Sequence, residues 1–132
     1  CFIFGDGLKD DKWLVENFGH SLSRLELKDL LPETWLHGYI LTAVACKLAV
    51  DVRAWGKNGP WYLPSNFEDL VVKMGWTPKK AVENYKNLYL CGTFECTKIY
   101  LPMNDENRHW FLIVVFMDQK VVHVVDSLRT DL

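Results

Sequence analysis

The stretch HWFLIVVFMDQKVVHVVDS, residues 109–127, decides how the chain is read. Trp110 to Met117 is an unbroken run rich in apolar and β-branched residues, and Lys120 to Val125 is similar, so each predicts a strand. The Asp118-Gln119 pair between them has hairpin length. With the turn symmetric about that pair, Phe111 faces Asp126 across an antiparallel ladder. His109, Phe111 and Asp126 then share one face by the two-residue period, and His109 and Asp126 become diagonal neighbours at roughly 7–8 Å between Cα atoms. His123 falls on the other face. A carboxylate that holds one ring nitrogen of a histidine fixes its tautomer and stabilises its charged form, as a base paired with a thiol requires. A three-residue turn would part the two side chains, so the pairing depends on register. On geometry alone, a His and an Asp on a hairpin are more often an incidental polar contact at a sheet edge.

Upstream of this hairpin, Lys98 to Leu101 predicts a short strand closed by Pro102, followed by a polar loop from Asn104 to Arg108. Further back, Leu36, Ile40, Val44 and Leu48 recur every four residues beside a stripe of Trp35, Tyr39 and Ala43, with Thr34 as N-cap. This pattern predicts a central helix buried on most sides. Ser23 to Leu31, interrupted by Pro32, predicts a short helix or turn. Arg53 to Pro64, with Gly56, Gly59, Pro60 and Pro64, predicts a loop. A helix capped by Ser65 and ended by Gly75 follows, and another opens at Pro78 and runs to about Leu90.

A chain of 132 residues, 49% hydrophobic and 14% aromatic, suffices for the core of one domain. Fifteen basic residues nearly balance 17 acidic ones, and no basic run exceeds a pair such as Lys79-Lys80, so no nucleic-acid footprint is expected. The apolar stretches Ile40 to Val50 and Trp110 to Met117 are too short to span a membrane. Cys1, Cys46, Cys91 and Cys96 occur without a secretory signal, which suggests reduced thiols and an intracellular chain. Cys91 and Cys96 lack a second Cys/His pair at ligand spacing, so no metal is expected, and no nucleotide or other cofactor motif appears.

The segments Lys98-Ile99-Tyr100-Leu101-Pro102-Met103-Asn104, His109-Trp110-Phe111-Leu112 and Val125-Asp126-Ser127-Leu128 together resemble the ubiquitin-like-protein-specific cysteine proteases, which include the SUMO (sentrin) proteases. The likeness extends from about residue 22 onward and includes Trp35-Leu36. It implies an α+β, papain-like fold with a central buried helix and an antiparallel sheet. It also implies that His109 is the general base and Asp126 its orienting partner. Trp110 and Trp35 would then flank a narrow passage for the Gly-Gly tail of a ubiquitin-like protein, since a slot too thin for a Cβ selects glycine and flat indoles suit its walls. Where the family pattern has a polar and then an acidic residue after Trp-Leu, this sequence has His37-Gly38, which leaves the tag unidentified. His37 itself reads as a surface histidine.

The nucleophilic cysteine of that family, and the glutamine that helps form its oxyanion hole, lie beyond Asp126 by more residues than follow it here. Gln119 sits at the far end of the hairpin from His109, and Cys46, Cys91 and Cys96 lack the setting of a nucleophile. The expectation is therefore of a partial catalytic domain over residues 1–132, helical over about 22–90 and sheet over about 97–128, inactive by itself. The parent would be a cysteine peptidase or isopeptidase of SUMO-type tags in the nucleus or cytoplasm. The rival reading is a non-catalytic, protease-like module that binds a ubiquitin-like protein.

Overall fold

The structure, a computed structural model, describes residues 4–17, 19–54, 58–90, 95–106 and 108–128. Strands β1 (Trp13–Asn17) and β2 (His20–Ser23) form an antiparallel hairpin turned by Gly19, whose φ of 79° suits glycine. Nothing in the sequence pattern had singled out these strands. Ser23 then starts α1 (Arg24–Leu27) with a capping box: its side chain accepts from the Glu26 amide, and the Glu26 carboxylate accepts from the Ser23 amide. A 3-10 turn (Lys28–Leu30) completes the expected short helix.

The central helix α2 covers Gly38–Ala54. It starts later than the stripe of Trp35 and Leu36 predicts, and Thr34 is not its N-cap. The Thr34 hydroxyl instead donates back to the carbonyls of Leu31 (2.6 Å) and Asp29 (2.8 Å), and residues 34–37 lie outside any helix. Helix α2 buries two faces, Ile40 packing with Leu22 and Leu27 at its start. Ala45, Cys46, Ala49 and Val52 face the core, where the small side chains let the aromatic rings of Tyr85 and Tyr89 pack close. Val44 and Leu48, placed by the four-residue stripe, are 51% and 37% exposed and line an apolar groove of about 200 Å3 with Tyr62, Tyr100 and Leu112.

Four strands form the main sheet, in the order β3 (Gly59–Tyr62), β4 (Cys96–Asp105), β5 (His109–Phe116) and β6 (Val121–Val125). The stretch predicted as a loop therefore contains a strand: β3 pairs parallel with β4, its register slipping at Pro60 between Gly59 and Trp61. Between them lie a π-helical turn (Glu68–Lys73) and α3 (Pro78–Tyr85), which Thr77 caps through the Lys80 amide. Ser65 caps neither, and α3 is shorter than expected, giving way to turns before Leu90.

Pro102 does not close β4, which continues to Asp105 and sets Pro102 opposite Leu112. The Tyr100 carbonyl accepts from Leu63 on the β3 side. By the two-residue alternation the missing N–H of Pro102 faces the same side, beyond the last paired residue of β3, so no ladder bond is lost. The hairpin β5–β6 pairs Leu112 with Val125 and Phe116 with Val121, the register expected from a turn centred on Asp118-Gln119. The turn itself spans Met117 to Lys120, with Lys120 at φ 55°.

Candidate active site

His109 opens β5 and Asp126 follows the last residue of β6, so the hairpin register brings both to one end of the sheet. His109 Nε2 lies 2.6 Å from Asp126 Oδ1. The same oxygen accepts the Leu128 amide at 2.9 Å, which ties the carboxylate to the turn after β6 and fixes its direction. The side chains are 19% and 14% exposed, so the pair is shielded from most of the solvent that would weaken it. An ionised carboxylate only accepts, so a neutral imidazole here carries its proton on Nε2 and presents a lone pair at Nδ1. Nδ1 has no hydrogen-bond partner among the described residues. The pair is arranged to take a proton at Nδ1 and to stabilise the resulting cation.

Trp110 points to the opposite side of β5, toward α2. Its indole N–H donates to the Leu36 carbonyl at 2.6 Å. It also lines a cavity of about 490 Å3 together with Gly38, Tyr39, Thr42, Ser65 and Asn104. Trp35 sits one residue before Leu36 and is 44% exposed. The two tryptophans are thus connected through the Leu36 backbone, and no ring contact joins them.

Gly38 has a local cause. A Cβ there would lie 2.7 Å from Ser65 Oγ and 3.4 Å from the Trp110 ring. Ser65 Oγ donates to the Gly38 carbonyl at 2.7 Å and meets Thr42 Oγ1 at 2.9 Å, so it is held against that position. The glycine after His37, legible in the sequence only as a departure, marks this close approach. His37 lies just before α2, its side chain 53% exposed, with Nδ1 2.7 Å from Asp29 Oδ2. Nothing in the sequence pattern linked Asp29 to His37.

Cys46 and Cys96 stand apart from this end of the sheet. Cys46 is 3% exposed within the core cluster, and burial pushes its thiol pKa up, with the Arg53 charge opposing. Cys96 starts β4, whose far end pairs with His109, placing it about 30 Å along the strand from the site at roughly 3.3 Å per residue. Cys1 and Cys91 lie outside the described residues. Among the described residues no three His, Cys, Asp or Glu side chains gather as a metal site, and no helix is long and apolar enough to cross a membrane.

Residues 74–131, which carry the β4–β6 sheet and the His109–Asp126 pair, match the Ulp1 protease family, C-terminal catalytic domain. Among curated proteins, none matches the chain in sequence. Among solved structures, the fold is similar to the C-terminal Ulp1 protease domain in complex with Smt3, the yeast ortholog of SUMO, with a TM-score of 0.72 at 18% identity over 96% of this chain. It is also similar to the SUMO protease Ulp1 with its catalytic cysteine oxidised to a sulfenic acid, with a TM-score of 0.68 at 20% identity over 91% of this chain. The chain spans about half the length of these structures, 53% and 51%. The α+β fold is that of this protease domain.

Proposed function

Starting from the match of residues 74–131 to the Ulp1 protease family, we propose that the chain is part of a cysteine-type peptidase or isopeptidase that removes or processes SUMO-type protein tags. The observation that carries this reading is the 2.6 Å contact between His109 Nε2 and Asp126 Oδ1 inside the segment that matches the family. His109 is the general base: Nδ1 takes the proton of a cysteine thiol, which attacks the carbonyl at the end of the tag, and returns it to the leaving amine. Asp126 holds the ring in the tautomer that permits this and stabilises the imidazolium. Trp110 and Trp35 flank the Gly-Gly tail. The partner is a ubiquitin-like protein or its conjugates, and the compartment is the nucleus or cytoplasm, in keeping with Cys46 as a free thiol.

In this reading the nucleophile is not among the described residues, because Cys46 is buried and Cys96 lies at the other end of the sheet. The rival reading is a non-catalytic module that holds a ubiquitin-like protein. The test compares a polypeptide of residues 1–132 with the full-length protein, using a SUMO-type protein whose C-terminal Gly-Gly carries a thiol-reactive group. The protease reading expects covalent labelling of the full-length protein and none of residues 1–132. His109-dependent labelling of Cys46 or Cys96 would show the nucleophile to be misassigned. Tight binding of the tag without any labelling of the full-length protein would favour the module.

A further inference from the structure

The segment that carries Trp35 belongs to no helix or strand, yet polar contacts hold it on three sides. Before it, the Thr34 hydroxyl reaches the carbonyls of Leu31 and Asp29 at 2.6 and 2.8 Å. In its middle, the Leu36 carbonyl accepts the Trp110 indole N–H at 2.6 Å. After it, Asp29 Oδ2 accepts from two side chains, His37 Nδ1 at 2.7 Å and the Tyr39 hydroxyl. The His37 and Tyr39 rings stack with centroids 5.4 Å apart and planes 4° from parallel. Trp35 itself makes no hydrogen bond among the described residues, so the polar contacts that hold this segment come from its neighbours.

We propose that Asp29, acting through His37 and Tyr39, is a positioning group that fixes Trp35 against the tail of the ubiquitin-like protein. The proposal rests on the reading of Trp35 and Trp110 as the walls of the tail passage. Asp29 stands in the 3-10 turn and Tyr39 in the first turn of α2, so one carboxylate spans the gap that residues 34–37 cross. Its side chain is 17% exposed, which shields its bonds more than those of an ordinary surface pair. The Tyr39 hydroxyl is pushed up to about 12, first by burial and then by its hydrogen bond to Asp29. The cluster lies on the Trp35 side of the molecule and has no bond to His109 or Asp126. Loosening it weakens the hold on the tail and leaves proton transfer unchanged.

The experiment measures KM and kcat of the full-length protein for a SUMO-type reporter, together with Kd for a SUMO-type protein ending in Gly-Gly and the melting temperature. His37→Leu removes the donor, whereas His37→Asn keeps an N–H close to the Nδ1 position. Expected are a rise of about three- to tenfold in KM and Kd for His37→Leu with kcat within about twofold, and recovery to within about twofold of the parent values for His37→Asn. Equal KM for all three proteins, or a loss confined to kcat, would overturn the proposal, as would a drop in affinity explained by partial unfolding at the assay temperature. Trp35→Ala separates the two levels of the argument. If it raises KM and His37→Leu does not, the positioning role alone fails. If Trp35→Ala leaves KM and Kd unchanged, the reading of the tail passage fails with it.

Discussion

Trp110 Nε1 donates to the Leu36 carbonyl at 2.6 Å, joining residues 74 positions apart and tying the start of β5 to the segment that precedes α2. This one bond connects the sheet that carries His109 and Asp126 to the segment that carries Trp35. A carbonyl in an irregular segment has no ladder partner to replace the indole, so its loss leaves a polar group unpaired in a half-buried place.

Trp110→Phe keeps an aromatic ring and removes that donor. The expected outcome is a loss of stability of about 1–2 kcal/mol, read as a lower urea midpoint with an unchanged slope. An unchanged midpoint would mean that water serves the Leu36 carbonyl equally well.

Gly38→Ala places a methyl group 2.7 Å from Ser65 Oγ, which must move away from the Gly38 carbonyl and from Thr42. Alanine recovers up to about 1 kcal/mol of helix propensity, while the two displaced bonds cost about 0.5–1.5 kcal/mol each. The balance predicts destabilisation by about 1 kcal/mol in thermal or urea unfolding. Ser65→Ala in the same background should remove most of the additional cost, and a stabilised Gly38→Ala would contradict the packing described.

Cys46 should behave as a core thiol. Burial holds its thiol above the ordinary cysteine range, so its thiolate, already scarce at neutral pH, is scarcer still in the folded protein. Alkylation at pH 8, followed by peptide mass mapping, should be slower at Cys46 in the folded protein than in guanidinium by a factor on the order of 100. Comparable rates in the two states would mean that the helix face around Cys46 opens readily.

The hairpin was legible because two β-branched runs flank a turn of fixed length, and the register follows once its centre is known. That register also brought His109 and Asp126 together. The start of α2 was misplaced for a tertiary reason. Trp35 and Leu36 continue the helical spacing, but the bonds from Trp110 to Leu36 and from His37 and Tyr39 to Asp29 hold residues 34–37 outside the helix. Strand β3 was hidden because Gly59 and Pro60 read as loop residues, while its partner in β4 lies far along the chain. The exposed side of α2 was not legible either. Spacing identifies an apolar stripe, of which Ile40 packs with Leu22 and Leu27, but farther along the helix the small residues facing Tyr85 and Tyr89 decide which face packs inward.

The most direct test of the central claim is kcat/KM of the full-length protein for a SUMO-type reporter, measured for the parent and for His109→Ala and Asp126→Asn. Asp126→Asn retains an oxygen for the Leu128 amide and loses the carboxylate that holds the ring and stabilises its charged form. The account predicts hydrolysis by the parent, a fall of about 10³-fold or more for His109→Ala and of about 10²–10⁴-fold for Asp126→Asn, with melting temperatures little changed. Hydrolysis that survives His109→Ala, or a full-length protein that binds the tag and never cleaves it, would contradict the assignment of this pair as the catalytic base and its partner.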